Sequence, residues 1–257
     1  MSLPKLYIFP ISHYCEKARW ALDYLGVDSE LLCLAPGAHA QLAEKLGAKA
    51  SSLPFLVCDQ DVVQGSGAII DWAEACAGNG RSLVPSDVPS VVDIERRLND
   101  LLGVHVRRMY YSEALVEYPD TVLPIFADYL TDEESEFVSG AWEFIAAAMV
   151  DRMDLGLEQG QASRQIVLEH LDWLDSMLDG ESRYLAGDCF SRVDLTAAAL
   201  LAPLVMPPEH PTYAFLQVPG GETSAIRLVI VAVAIAIAAL ILSEWLSRKV
   251  AQRISGS

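Results

Sequence analysis

The stretch FPISHYCEKARWAL, residues 9–22, places Ser12, His13 and Cys15 where an apolar, strand-like run, Leu6–Phe9, gives way to a helical one. Three kinds of chemistry suit such residues at the head of a helix. A hydroxyl or thiol beside an imidazole can be a nucleophile, and a thiol near a helix N-terminus can be a redox group. A serine there can also do no more than cap the helix by accepting from its free amides. The three readings place different demands on the rest of the chain.

Composition removes several function classes. The 257 residues carry 35 acidic and 18 basic side chains, a formal charge of −17, which repels a phosphate backbone; nucleic acid is not an expected partner. The five cysteines, Cys15, Cys33, Cys58, Cys76 and Cys189, form no C-x-x-C pair and have no histidine at metal-ligand spacing, so neither a disulfide framework nor a metal site is expected. The N-terminus enters LPKLYIF without a basic region, apolar stretch and cleavage site, and the main body is expected to be cytoplasmic and reduced.

The elements that must position these residues follow from periodicity. Residues 5–77 alternate as strand KLYIF, helix EKARWALDYLG, strand SELLCL, helix HAQLAEKLG, strands PFLVCD and DVVQ, and helix GAIIDWAEACAG, giving the order βαβαββα. GNGRSLVPSDVPS, residues 78–90, is rich in helix and strand breakers, and the expected organisation is an α/β domain over 1–80, a linker over 81–90 and an all-helical domain over 91–222. Within the latter, EYPDTVLP interrupts the helices, and TDEESEFVSGAWEFIAAAMVDRM starts another with an acidic first turn that suits the helix dipole. In GDCFSRVDLTAAALLAPL, Ser191 and Asp194 make a capping-box variant and Phe190 and Leu195 a hydrophobic staple. The helix after it is apolar nearly all round and is expected in the core of the second domain.

Four motifs, FPISHYCEKARWAL, SSLPFLV, QGSGAII and YLAGDCFSRVDLTAAAL, stand in an order and spacing similar to those of the cytosolic glutathione transferases, over about residues 4–206. The resemblance implies a thioredoxin-like N-terminal domain followed by the family's all-α domain, glutathione as co-substrate, no metal, and a homodimer. It further implies a serine-type enzyme that joins the glutathione thiolate to a hydrophobic electrophile or reduces a peroxide. The residue chemistry agrees with that expectation, since a thiol held as thiolate near neutral pH needs hydrogen-bond donors and a helix N-terminus more than a base. Ser12 can donate to the sulfur, with Lys17 and Arg19 adding a favourable field. As a bare N-cap it would do neither.

The resemblance also places the binding residues. Leu53, before a proline, Pro54, that is cis in this family, would pair strand-like with the cysteinyl part of glutathione. Ser66 resembles the serine that takes the γ-glutamyl carboxylate with the free amides of a first helical turn. The family usually has Glu or Gln directly before it, whereas this chain has Gly65 there and Gln64 one step earlier. His39 stands where several classes use His or Lys on the glycyl carboxylate, and a surface helix-start histidine is the other reading. His13, where many relatives have proline, reads as a solvent-facing helix-start residue. In thioredoxin-like redox proteins the attacking cysteine would be at position 12, so Cys15 takes the place of the second, buried one. Met109, Tyr110 and Tyr111 fit core packing and an electrophile pocket equally well.

The C-terminus departs from the family. The apolar run Leu228–Leu242, extended to 225–246, makes a helix of about 33 Å with Trp245 at an interface position and Arg248, Lys249 and Arg253 beyond it. The preferred reading of 223–257 is a membrane-anchoring helix with a basic tail; a last helix buried in the fold or in a dimer contact is the other. Two further functions stay open at this point: a non-catalytic, membrane-associated sensing or interaction module, and a thiol reductase that depends on Cys15.

Overall fold

The computed structural model describes residues 3–59, 61–85, 90–178, 183–205, 207 and 210. The first 76 residues fold as expected. Strands β1 (Lys5–Ile8), β2 (Glu30–Cys33), β3 (Phe55–Cys58) and β4 (Asp61–Gln64) form one sheet in the order β2-β1-β3-β4, with β2 parallel to β1 and the other pairs antiparallel. Helices α1 (His13–Leu25), α2 (Ala38–Leu46) and α3 (Ser66–Cys76) complete the βαβαββα unit. In α1 the buried positions Cys15, Ala18, Ala21, Leu22 and Leu25 recur at three and four residues, which is one helical face. That face packs with Ile69, Ile70 and Ala73 of α3 on Leu6, Ile8 and Leu56 of the two central strands.

The remainder of the described chain is helical. Helix α4 (Val91–Arg97) runs through a π-helical turn, Leu98–Gly103, into α5 (Val104–Glu117); α6 (Pro119–Ala127), α7 (Asp132–Gly140), α8 (Trp142–Met153), α9 (Leu157–Met177) and α10 (Arg192–Val205) follow. Pro119 sits at the first position of α6, where its missing N–H costs nothing. The acidic stretch expected to begin one helix begins two. Thr131 and Glu134 form a reciprocal capping box, but the helix ends at Gly140, and Ala141 leaves helical geometry before α8.

Helix α10 is placed differently from the expectation. Its start is the capping device read from sequence: the Ser191 hydroxyl donates to Asp194 Oδ2 at 2.8 Å, and the Ser191 amide donates to the same oxygen at 2.9 Å. Asp194 also accepts from the Leu185 amide at 2.7 Å. Phe190 and Leu195, however, pack into the core of the α/β unit, while Val193, Ala197, Leu200 and Leu201 pack into the helical core. The helix is apolar all round because it divides two cores and does not fill one.

Charge joins the two units as well. Lys17 of α1, fully buried, pairs with Glu95 of α4 and donates to Asn99 Oδ1 at 2.9 Å. Arg192 of α10 reaches the same Glu95 at 2.6 Å and Asp71 of α3 at 2.7 Å. The apolar segment 225–246 and the basic tail lie outside the described residues. Among the described residues no helix is long and apolar enough to cross a membrane.

Candidate active site

The loop that leaves β1 and the start of α1 form one wall of a cavity of about 400 Å³. Ser12, His39 and Leu53 line that wall; Arg107 and Tyr111 from α5, Phe126 from α6, and Phe144, Met149 and Arg152 from α8 line the facing one. Pro54, Gln64, Ser66 and Cys15 do not line it. Three of the expected site residues are therefore brought together, and the other four have separate places.

Ser12 is the N-cap of α1, in extended geometry (φ −78°, ψ 115°), and its Oγ accepts from the Cys15 amide at 3.4 Å. Capping uses a lone pair and leaves the hydroxyl proton free for a group in the cavity. The two sequence readings of Ser12 are thus compatible. Leu53 precedes a cis peptide bond to Pro54, and neither its N–H nor its C=O is hydrogen-bonded among the described residues. Pro54 holds β4 in place through its carbonyl, which accepts from the Gly65 amide at 3.0 Å.

Gln64 is committed to its own chain. Its amide nitrogen donates to the Ala50 and Ser52 carbonyls at 2.7 and 3.0 Å, and its Oε1 accepts from the Ala50 amide at 3.1 Å, fixing the loop before Leu53. Gly65 adopts φ 92°, a region that strains any residue with a Cβ, so the glutamate or glutamine usual there would be costly. Ser66, largely buried, is the first residue of α3, and among the described residues no side chain caps that helix start. Its first amides are consequently open to a carboxylate.

His39 packs edge-on against Phe9, at 4.9 Å between centroids, and its Nδ1 accepts from the Gly37 amide at 3.1 Å. Burial first, then the Arg152 guanidinium, pushes its pKa down, so the ring is neutral near pH 7 and the formal charge at that end is Arg152's. Cys15 is buried and its thiol is pushed up to about 12, chiefly by burial, which favours the protonated thiol.

Two expectations are corrected here. His13 does not face solvent: it is 5% exposed, stacked on Tyr14, and burial together with the Arg107 charge brings its pKa down to about 3. The π-helical turn receives it and its neighbour. The Tyr14 hydroxyl donates to the Asn99 carbonyl at 2.6 Å, and a Cβ on Gly103 would come within 2.5 Å of that hydroxyl. Lys17 and Arg19 do not supply the field at Ser12, because Lys17 is neutralised by Glu95 and Arg19 pairs with Glu16 at 2.7 Å. Two cations line the cavity, Arg107 and Arg152, both more than ninety residues downstream of Ser12, and the sequence offered no means to select them.

Residues 6–81 match the family model described as glutathione S-transferase, N-terminal domain. The fold is that of the glutathione transferases. The chain superposes on glutathione transferase F7 from Populus trichocarpa with a TM-score of 0.58 at 17% identity, covering 93% of this chain and 98% of that one. On the beta-etherase LigF from Sphingobium sp. strain SYK-6 the TM-score is 0.57 at 19% identity, with 94% and 100% covered. A glutathione S-transferase-I bound with lactoylglutathione gives 0.57 at 14% identity, with 99% of each chain covered. No curated protein matches the chain by sequence. Within this glutathione-transferase fold, the cavity lies between the strand-end loops of the small sheet and the helical unit. Among the described residues no group of three or more His, Cys, Asp and Glu is placed to hold a metal.

Proposed function

We infer that the protein is a glutathione transferase-type enzyme. Glutathione lies along the edge of the α/β unit: its cysteinyl backbone pairs with the free N–H and C=O of Leu53, its γ-glutamyl carboxylate takes the uncapped first turn of α3 at Ser66, and its glycyl end points toward His39 and Arg152. The Ser12 hydroxyl donates to the sulfur and lowers its proton affinity; the sulfur is the nucleophile, and Ser12 stabilises it without attacking anything itself. An electrophilic carbon or a peroxide oxygen is held against the apolar wall of α6 and α8, so that a bimolecular reaction proceeds from a bound pair.

The observation that carries this reading is the position of Ser12. It caps α1 with a lone pair and lines a cavity that has backbone groups free on one side and an apolar wall on the other. The test is glutathione binding to the full chain by calorimetry, followed by conjugation of a model aryl halide. Binding with turnover that falls steeply in Ser12→Ala supports the reading. Absence of glutathione binding, or unchanged turnover in that variant, removes it.

A further inference from the structure

We propose that the electrophile taken by this site carries an anionic group, a carboxylate or its like, held by Arg107. The proposal rests on the reading of the site given above and names its second substrate by class.

Charge distribution is the first ground. The chain has 35 acidic and 18 basic residues, yet two arginines and no aspartate or glutamate line the cavity. A charge balance inverted at one concave place is what a pocket for an anion requires. The second ground is the state of Arg107. Its Nε is buried without a hydrogen-bond partner, and no carboxylate pairs with its guanidinium among the described residues. An unpaired guanidinium beside buried side chains is costly unless something else completes it. Arg192 also has a buried Nε without a partner, but its guanidinium is paired with carboxylates, and Lys17 shares one of them, Glu95.

The third ground is the division of labour between the two cavity cations. Arg152 acts on His39, at the end assigned to the glycyl carboxylate of glutathione, whereas Arg107 acts on His13 and Tyr14 at the start of α1 and on Tyr111, its neighbour on α5. Arg107 therefore lines the cavity from α5, apart from the end assigned to the glycyl carboxylate. The rest of that wall is Phe126, Phe144, Ile145 and Met149, which suits an apolar or aromatic body. The ligand so described is an amphipathic anion: apolar over most of its surface and charged at one end, with a planar fork to meet it.

The experiment uses two aryl halides of nearly equal shape, 4-chloro-3,5-dinitrobenzoate and its neutral amide. In both, the thiolate sulfur forms a bond to the ring carbon, chloride leaves with the bonding electron pair, and the thiol proton passes to solvent. The natural chain should favour the acid in kcat/KM by about tenfold to a hundredfold, the range expected for one charge-assisted contact, after allowance for their different reactivity in water. Arg107→Gln should bring that ratio near one while changing the amide's kcat/KM by no more than a few-fold, and Arg107→Lys should restore part of it. Calorimetry of the two finished conjugates gives the same comparison without chemistry.

Equal preference for acid and amide in the natural chain overturns the proposal, as does an Arg107→Gln variant that slows both substrates alike, since the guanidinium would then be serving the sulfur. Loss of the preference in Arg152→Gln but not in Arg107→Gln also overturns it. These results leave the glutathione reading standing. Failure of glutathione itself to bind is a separate outcome, and it overturns both.

Discussion

Two groups of buried or half-buried cations lie on either side of the first helix, and they are in opposite states. At the junction of the two units, Lys17 and Arg192 converge on Glu95, with Asp71 and Asn99 completing the set; Lys17, Arg192 and Glu95 are almost wholly removed from water. In the cavity, Arg107 and Arg152 face apolar side chains and have no carboxylate between them among the described residues. The first arrangement has its charges paired within the protein and holds it together. The second is incomplete, and incompleteness in a concave place is what leaves room for a ligand. The Lys17 ammonium illustrates the cost of the first arrangement: burial brings its pKa down to about 8, against the raising influence of Glu95.

The contrast can be broken most strongly at the junction. Glu95→Gln leaves two buried cations short of their shared partner and should cost about 3–5 kcal/mol of stability, measured by urea denaturation. A loss under 1 kcal/mol would mean that the cluster is wetter or looser than its geometry implies. The next effect is at Ser12, where the hydroxyl has two duties. Ser12→Ala should lower turnover about 10²–10³-fold, as loss of one donor to a developing anion does, while removing only about 1 kcal/mol of stability as a lost cap. A variant that loses stability without losing turnover would leave Ser12 with capping alone.

A third prediction concerns His13, which is buried neutral under the Arg107 charge. Its folded pKa of about 3 lies below the ordinary 6.5, so below pH 6.5 the unfolded chain takes up a proton that the folded chain refuses. Its contribution is therefore complete above pH 6.5 and falls as pH drops toward 3, by about 1.4 kcal/mol per pH unit. Denaturation of the natural chain between pH 7 and pH 5 should accordingly steepen relative to His13→Gln, and identical profiles would mean the imidazole is hydrated. The smallest effect sharpens the comparison from the other side. Arg107→Gln should change stability by no more than about 0.5 kcal/mol, because no partner in the protein is left stranded. A loss of several kcal/mol would show that Arg107 belongs with the structural cations after all.

The two walls of the cavity differ in how far they could be read in advance. Ser12 and Leu53 stand in short motifs whose local geometry carries their meaning: a residue before a helix, a residue before a proline. The positions of the α/β unit follow from period-two and period-3.6 patterns over short range, and its order was legible for that reason. Arg107, Phe126, Phe144 and Arg152 carry no such mark. Each lies on a helix whose surface pattern suits either solvent or a cavity, and only the packing of α5, α6 and α8 against the loop after β1 turns these four toward Ser12. Gln64, an amide next to a binding motif, gave no local sign of its bonds to the Ala50 and Ser52 backbone. His13 and Lys17, polar residues at a helix start, likewise gave no local sign that the π-helical turn and Glu95 would bury them.

The sequence alone determined the elements of the α/β unit, their order, the caps at Ser12 and Ser191, and the class of fold, because each of these depends on neighbours within a few residues. Tertiary structure decided which charges are spent and which are left over. That distinction is set by long-range pairing: Glu95 meets Lys17 and Arg192 across 78 and 97 positions of chain, and Arg107 meets no carboxylate among the described residues. Coulomb interactions in a low-dielectric interior act over distance in space, and proximity in space is what a linear pattern of charges does not record.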